Sequence, residues 1–369
     1  MRIKAAVLHE TNQPYSLETV ELDPPKRGEV LVKIGATGVC RSDLHFQRGD
    51  ATITLPAVLG HEGAGTVEAV GDGVTLVEPG DRVILSFVPN CGHCYQCEMG
   101  RPNLCDAHGR TGGTLFDRTV RLHTLSGQDV AHMGKVACFA EYAVVPESGC
   151  IPVPADGGRA PDFPQMALIG CSVTTGVGAA LFNAHVAPGD SVAVVGCGGV
   201  GLNIIQGARL AGATTIIAID KKEAALELAS SFGATHAINP DAEDAVKRVI
   251  ELTGGGASFA FEAYGGGVTT KMAVDMLGKR GTAVIVGIAP LGDTAAIEPV
   301  FLTRMEKTVR GSYYGSSHPR QDMPRILDWY HRGLLDIDGL ITRRYTLDDI
   351  NQAYEDLDAD GAGRGVIVF

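Results

Sequence analysis

Four cysteines crowd together as Cys91-Gly92-His93-Cys94-Tyr95-Gln96-Cys97 and then Cys105, a C-x2-C-x2-C-x7-C spacing. Thiolates this close in sequence can wrap one tetrahedral ion without a tertiary fold to gather them. Zinc suits four soft sulfur ligands and leaves no open coordination position, so the expected role is structural. An iron–sulfur cluster uses cysteines at similar spacing and is the alternative. A second chemical signature is Gly196-Cys197-Gly198-Gly199-Val200-Gly201. In a G-x-G-x-x-G loop the first glycine permits the tight turn and the second lets the backbone approach a pyrophosphate. The third lets the following helix pack against its strand, with its N-terminus facing the phosphates. Asp220 ends the next apolar run, about twenty residues on, where a carboxylate accepts ribose hydroxyls and repels a 2′-phosphate. NAD is expected over NADP, a preference that Lys221 and Lys222 blur a little. Three further ligand types stand apart from one another: Cys40 in Cys40-Arg41-Ser42-Asp43-Leu44-His45, His61 in Gly60-His61-Glu62-Gly63-Ala64-Gly65, and Cys171. Taken singly, each is more often a core or surface residue than a metal ligand.

The elements that must position these groups fall into three stretches. From Met1 to about Val145, short β-type runs such as Glu29-Val30-Leu31-Val32-Lys33-Ile34 are broken by Gly, Pro and Asp, predicting a compact, mostly β domain. From about Thr174 to Gly311, apolar β-branched runs alternate with helical ones. Ser191–Val195, Thr215–Ile219 and the run 282–286 have the texture of strands buried on both faces, with a helix from Gly201 to Ala211 between the first two. That alternation predicts an α/β, doubly wound parallel sheet. From Tyr313 to Phe369 the texture mixes again, with an amphipathic helix near 321–329 and a final strand at 365–369. The segment from Asp106 to Met133 reads as a long surface excursion.

The chain has 369 residues, room for two hydrophobic cores, with 45% hydrophobic and 20% charged residues, which excludes general disorder. Its 31 Lys+Arg against 43 Asp+Glu leave a net charge of -12, so nucleic acid and anionic membranes are not expected partners. The N-terminus meets His9 and Glu10 too soon for a signal peptide. No uninterrupted apolar run approaches the roughly 18 residues needed to cross a bilayer. A cytoplasmic location is expected. In a reducing compartment nine cysteines, four of them clustered, point to metal before disulfides.

These motifs, in this order, resemble the zinc-dependent medium-chain alcohol dehydrogenases over essentially the whole length. The most specific is G-H-E-x-x-G-x5-G from Gly60 to Gly71. The excursion between Cys105 and Glu141 resembles the long-loop form of dimeric alcohol dehydrogenases and of glutathione- or mycothiol-linked formaldehyde dehydrogenases. The resemblance implies a GroES-like catalytic domain over residues 1–173, a Rossmann dinucleotide-binding domain over 174–312, and a return to the catalytic domain over 313–369. It implies two zinc ions per chain, one structural on Cys91, Cys94, Cys97 and Cys105, one catalytic on Cys40, His61 and Cys171. Glu62 would sit behind the catalytic metal, Asp43 would orient His61, and Ser42 and His45 would relay a proton to solvent. Arg41 and Arg364 match pyrophosphate contacts. Thr175, Val286 and Ile288 match the nicotinamide side, and Gly196, Gly198, Gly199, Val200, Gly201 and Asp220 complete the NAD site.

Two thiolates and one neutral imidazole give a zinc site of zero net charge with an open fourth position, which polarises an alcohol oxygen. The implied activity is reversible hydride transfer from a zinc-bound alkoxide to NAD, giving an aldehyde or ketone from a small-molecule alcohol. Two alternatives share the fold: a thiol-dependent formaldehyde dehydrogenase, and an enzyme that keeps NAD bound and recycles it with an external carbonyl. A protein of another class, sensing NAD without catalysis, would have no need of an open zinc site. A homodimer is expected. Ala225 replaces a lysine that reaches the adenosine ribose in many relatives, and Ser42 leaves more room than threonine. Phe87, His132 and Met133 fall near substrate-pocket positions.

Overall fold

The structure is a computed structural model that describes residues 1–109, 112–154, 161–360 and 362–369. Two compact units emerge. The first comprises Met1–Cys171, His318–Gly333 and Ile341–Phe369; the second comprises Ser172–Ser317 and Leu334–Leu340.

In the first unit, five strands close into a barrel in the order Arg2–Leu8, Ser16–Leu22, Leu122–Thr124, Asp129–His132 and Ala57–Val58. Leu8, Leu22, Leu59, Leu115, Leu122 and Phe139 are fully buried at its core. A second sheet runs Cys150–Pro152, Arg82–Leu85, Gly63–Val70, Glu29–Gly38, Arg364–Val368 and Ile341–Tyr345, with Tyr142–Pro146 also paired to Glu29–Gly38. The stretch 106–133 is not a surface excursion. Two of its segments are barrel strands, and its Arg121 is wholly buried, donating to Glu29 through Nε (2.9 Å) and Nη2 (2.5 Å) and to Asp117 at 2.8 Å. Its polar composition hides a core because the cation is neutralised inside, where an unpaired charge would be costly. Arg110 and Thr111 of that stretch lie outside the described residues.

The second unit is the parallel sheet expected from the alternating runs, in the order His236–Ile238, Thr215–Ile219, Ser191–Val195, Ala257–Glu262, Leu277–Ile285, Thr308–Gly311. Its central strands are buried along nearly their whole length. The helix after the first of them is Gly199–Leu210, two residues earlier than its apolar pattern suggests. Residues 313–369 do not all return to the first unit, because the second unit extends to Ser317 and also takes Leu334–Leu340. There Asp336 exchanges two hydrogen bonds with the Gln206 side chain (2.7 and 3.2 Å). One helix, Phe163–Ala184, is long and apolar enough by composition to cross a membrane. Of that window 89% is buried, as in a core helix.

Candidate active site

Strand pairing in the first unit gathers residues that are far apart in sequence. Glu29–Gly38 is flanked on one side by Gly63–Val70, in register Thr37↔Gly63, and on the other by Arg364–Val368, in register Val366↔Gly38. His61 and Glu62 lie just before the first neighbour, Cys40 just past the end of the central strand, and Arg364 at the start of the second. Gly38 N–H donates to Glu62 O (2.8 Å) and Val39 N–H to Gly365 O (2.9 Å), locking the three ends together. A Cβ on Gly38 would lie 2.0 Å from Glu62 Oε2, so a larger residue there would displace the Glu62 carboxylate.

Cys40 is the N-cap of the helix Arg41–Arg48, an end whose dipole favours a thiolate. Cys171 arrives from Ile169–Val173, a π-helical turn, the kind of local widening often found at functional sites. One ligand atom each from Cys40, His61, Glu62 and Cys171 falls within 4.8 Å of the others, and all four residues are buried. Cys171 Sγ lies 3.3 Å from His61 Nε2, close to the ~3.5 Å that separates sulfur and nitrogen around one tetrahedral zinc. His61 Nδ1 is 3.0 Å from Asp43 Oδ1, which also accepts the Gly60 N–H at 3.1 Å. That partner leaves Nε2 as the lone-pair nitrogen facing the cysteines.

Charge follows the same geometry. The hydrogen bond with Cys171, backed by the positive charge of Arg364, holds the Cys40 thiol well below its usual range despite burial. Burial pushes the Glu62 carboxyl up to about 7, while Arg364, ion-paired to it, pulls the other way. Arg364 is itself 5% exposed and holds Glu62. That pairing leaves no local pattern in the sequence. Arg41 is exposed, and Ser42 and His45 are half-buried, with His45 Nδ1 3.0 Å from Asp50. Phe87 sets its ring edge-on to His61 at 5.2 Å. His132, by contrast, is a buried barrel residue whose Nε2 accepts the Arg121 N–H (2.9 Å).

Elsewhere in the same unit, Cys91, Cys94, Cys97 and Cys105 bring their sulfurs within 4.8 Å of one another. Cys94 lies 3.5 Å from Cys97 and 4.0 Å from Cys105. These spacings bracket the ~3.8 Å edge of a ZnS4 tetrahedron. All four are free thiols rather than disulfides.

In the second unit, Gly196 turns the chain with φ 92°, and a Cβ on Gly201 would strike Gly196 O at 1.9 Å. A Cβ on Gly198 would meet nothing within 4 Å, and Gly198 leaves the N-terminus of Gly199–Leu210 without a side-chain cap. Open space before free helix N–H groups fits a pyrophosphate. Asp220 is preset by the backbone, accepting from Cys197 N–H (2.8 Å) and Lys222 N–H (3.0 Å). Lys221 pairs with Asp241 at 3.0 Å. Ala225 is buried in the first turn of its helix. Thr175 is half-buried, Val286 buried and Ile288 exposed. Glu262 belongs to no motif that spacing reveals. Its Oε1 accepts from Tyr264 N–H (3.0 Å), Gly265 N–H (2.7 Å) and Thr269 Oγ1 (2.8 Å), shaping the loop after its strand. A lone glutamate ending a buried strand was the available signal.

Comparison with known proteins agrees with this architecture. The alcohol dehydrogenase GroES-like domain profile matches residues 26–155, and the zinc-binding dehydrogenase profile matches residues 199–332. The chain is 42% identical to the NDMA-dependent alcohol dehydrogenase of Amycolatopsis methanolica, covering 100% of this chain and 99% of that protein. It is 38% identical to the S-(hydroxymethyl)glutathione dehydrogenase of Paracoccus denitrificans, covering 100% of both. The crystal structure of benzyl alcohol dehydrogenase from Acinetobacter calcoaceticus superposes with a TM-score of 0.94 at 35% identity, over 100% of this chain and 99% of that one. The chain belongs to the zinc-dependent medium-chain alcohol dehydrogenases.

Proposed function

We propose that this protein is an NAD-dependent zinc alcohol dehydrogenase interconverting a small-molecule alcohol with its aldehyde or ketone. The buried convergence of Cys40, His61 and Cys171 carries this reading. When bound there, zinc would polarise the alcohol oxygen and lower its pKa, and NAD would take up the hydride. The chain's own part is orientation and proton handling. Asp43 holds the Nδ1–H of His61 and so fixes the tautomer. Glu62, anchored by Arg364, sits beside the cluster as a reserve carboxylate. The Ser42 hydroxyl can accept and donate at once, and His45, half-exposed and steadied by Asp50, passes the proton outward. In the second unit the glycine loop takes the pyrophosphate and Asp220 the ribose hydroxyls. Thr175, Val286 and Ile288 flank the nicotinamide, with Arg41 and Arg364 as further phosphate contacts.

Cys91, Cys94, Cys97 and Cys105 would hold a second zinc with a purely structural role, giving two per chain. A cytoplasmic homodimer completes the reading. Thr308–Gly311, an edge strand exposed at all four residues, supports self-association, because an unpaired edge invites a partner strand. Cys171→Ser tests the site. Turnover should fall by more than the ~10–100-fold that losing a ligand's hydrogen-bond partner costs, and metal content should drop from two per chain to one. Full activity with both metals retained would remove the assignment.

A second reading keeps NAD permanently bound, and the NDMA dependence named for the 42% relative favours it. Purified protein assayed with a panel of alcohols separates the two. Reduction of added NAD supports exchange. Nucleotide released only on denaturation, with alcohol oxidised only when NDMA is present, supports retention. Formaldehyde with and without low-molecular-weight thiols, in the same panel, tests the thiol-linked chemistry named for the Paracoccus denitrificans relative.

A further inference from the structure

Asp43 uses only half of its carboxylate on the site. Oδ1 accepts the N–H groups of Gly60 and His61, while Oδ2 is buried and makes no hydrogen bond. Two phenol oxygens, on Tyr354 and Tyr15, are buried and equally without a partner. Both rings pack on Phe139, whose own ring abuts Gly60, the residue whose N–H Asp43 holds. Beyond burial itself, the charge of Asp43 is what holds both phenols well above their usual range, and Tyr15 is next to Tyr354.

The arrangement is built rather than incidental. Tyr354 lies on the helix Ile350–Asp360. Three residues earlier on that helix, Asn351 clamps the backbone of Tyr15 from both sides: its Oδ1 accepts the Tyr15 N–H (2.8 Å) and its Nδ2 donates to Tyr15 O (3.0 Å). The clamp sets the Tyr15 ring 5.4 Å from that of Tyr354, and Phe139 closes the trio edge-on at 5.8 and 6.1 Å. Phe139 also props up the segment that carries the metal ligand, since a Cβ on Gly60 would lie 2.5 Å from its ring. Phenylalanine would fill either tyrosine position with the same apolar surface. Two buried hydroxyls are costly there unless they bond. A carboxylate oxygen lacking a donor beside a phenol lacking an acceptor are complementary, and one bond between them satisfies both.

We propose that Tyr354 is a positioning residue for the metal centre: its hydroxyl donates to Asp43 Oδ2 and thereby fixes the carboxylate that orients His61. The inference rests on the reading that Cys40, His61 and Cys171 hold a metal. The helix Ile350–Asp360 thus reaches the metal through two hydrogen bonds in series, Tyr354 to Asp43 and His61 to Asp43. Tyr15 steadies the phenol from behind.

The test uses the full-length protein with cobalt(II) in place of zinc, read by its visible absorption and by the rate at which a chelator strips the metal. Tyr354→Phe keeps the ring and its packing, and a thermal melt checks that the fold is intact. The expected result is a shifted cobalt spectrum and metal loss roughly 3–10-fold faster than in the parent. That is less than the ~10–100-fold effect of deleting a ligand's direct partner. In an Asp43→Asn background, Tyr354→Phe should add nothing further, since it acts through that carboxylate. Identical spectra and loss rates in parent and Tyr354→Phe would overturn the proposal, as would effects of the two substitutions that simply add. A parent protein with no cobalt bound at Cys40, His61 and Cys171 would instead overturn the reading of the metal site, and this inference with it.

Discussion

Glu62 and Arg364 stand 302 positions apart in the chain and meet as an ion pair with side-chain exposures of 0% and 6%. Beside them lie the ligand atoms of Cys40, His61 and Cys171. A carboxylate this deep is tolerable only while a cation or a metal answers it, so the pair ties the end of the chain to the centre of the site.

Arg364→Met should therefore destabilise the protein by about 3–5 kcal/mol, the cost of leaving one member of a buried pair uncompensated. Adding Glu62→Gln should recover part of the loss, because it removes the stranded charge. Urea denaturation of the parent, Arg364→Met and the double variant gives the comparison. An unchanged midpoint in Arg364→Met would show that the pair contributes nothing to stability.

Cys97→Ser removes one sulfur from the four-cysteine lobe, where Cys97 lies 3.5 Å from Cys94 and accepts a contact from Asn90 Nδ2 at 3.9 Å. Metal binding at such a site is coupled to folding. The variant should lose one metal per chain and melt at a lower temperature while still oxidising alcohol in the cold. Metal analysis paired with calorimetry checks both halves.

Asp220→Ala should weaken NAD and relax discrimination against NADP. Hydrogen bonds to a charged group contribute about 1.5–3 kcal/mol, so the NAD-to-NADP ratio of kcat/KM should fall by roughly 10–100-fold. A ratio that stays put would detach cofactor choice from this carboxylate.

His132 supplies a pH dependence. Burial, reinforced by the positive charges of Arg121, His123 and Lys135, lowers its imidazole to about 3. The unfolded chain titrates near the ordinary ~6.5. Between those values the unfolded state binds the extra proton, so this contribution is complete above pH 6.5 and is lost as pH falls toward 3. His132→Gln keeps an acceptor for the Arg121 N–H but does not titrate. Its stability should decline less steeply from pH 6.5 to 4.5, by up to ~1.4 kcal/mol per pH unit. Equal slopes in urea unfolding at several pH values would mean that the imidazole is not held neutral.

Much of this was legible from spacing. Local patterns announce themselves: the four-cysteine lobe needs only its own short segment, and Ser191–Val195 followed by Gly196 and Gly201 dictates a strand, a tight turn and a closely packed helix. The resemblance carried Cys40, His61 and Cys171 together, and strand register in the structure brings them within reach of one another. What stayed hidden were pairings made only by the tertiary fold. Glu62 with Arg364, Glu29 with Arg121, and the facing of Tyr354 on Asp43 leave no periodicity to read. The stretch 106–133 misled for the same reason: Arg121 looks solvent-bound in sequence because nothing local reveals that Glu29 neutralises it.

The pairing of Arg364–Val368 with Glu29–Gly38 also bears on the order of assembly. The central strand takes one flank from Gly63–Val70, close by in the chain, and the other from Arg364–Val368, across a long intervening stretch. Every strand of the parallel sheet lies within that stretch. Closing the second flank therefore bridges a far longer loop than any pairing inside the parallel sheet. On refolding, the parallel sheet should form early and the surroundings of Cys40 and Glu62 should lock last.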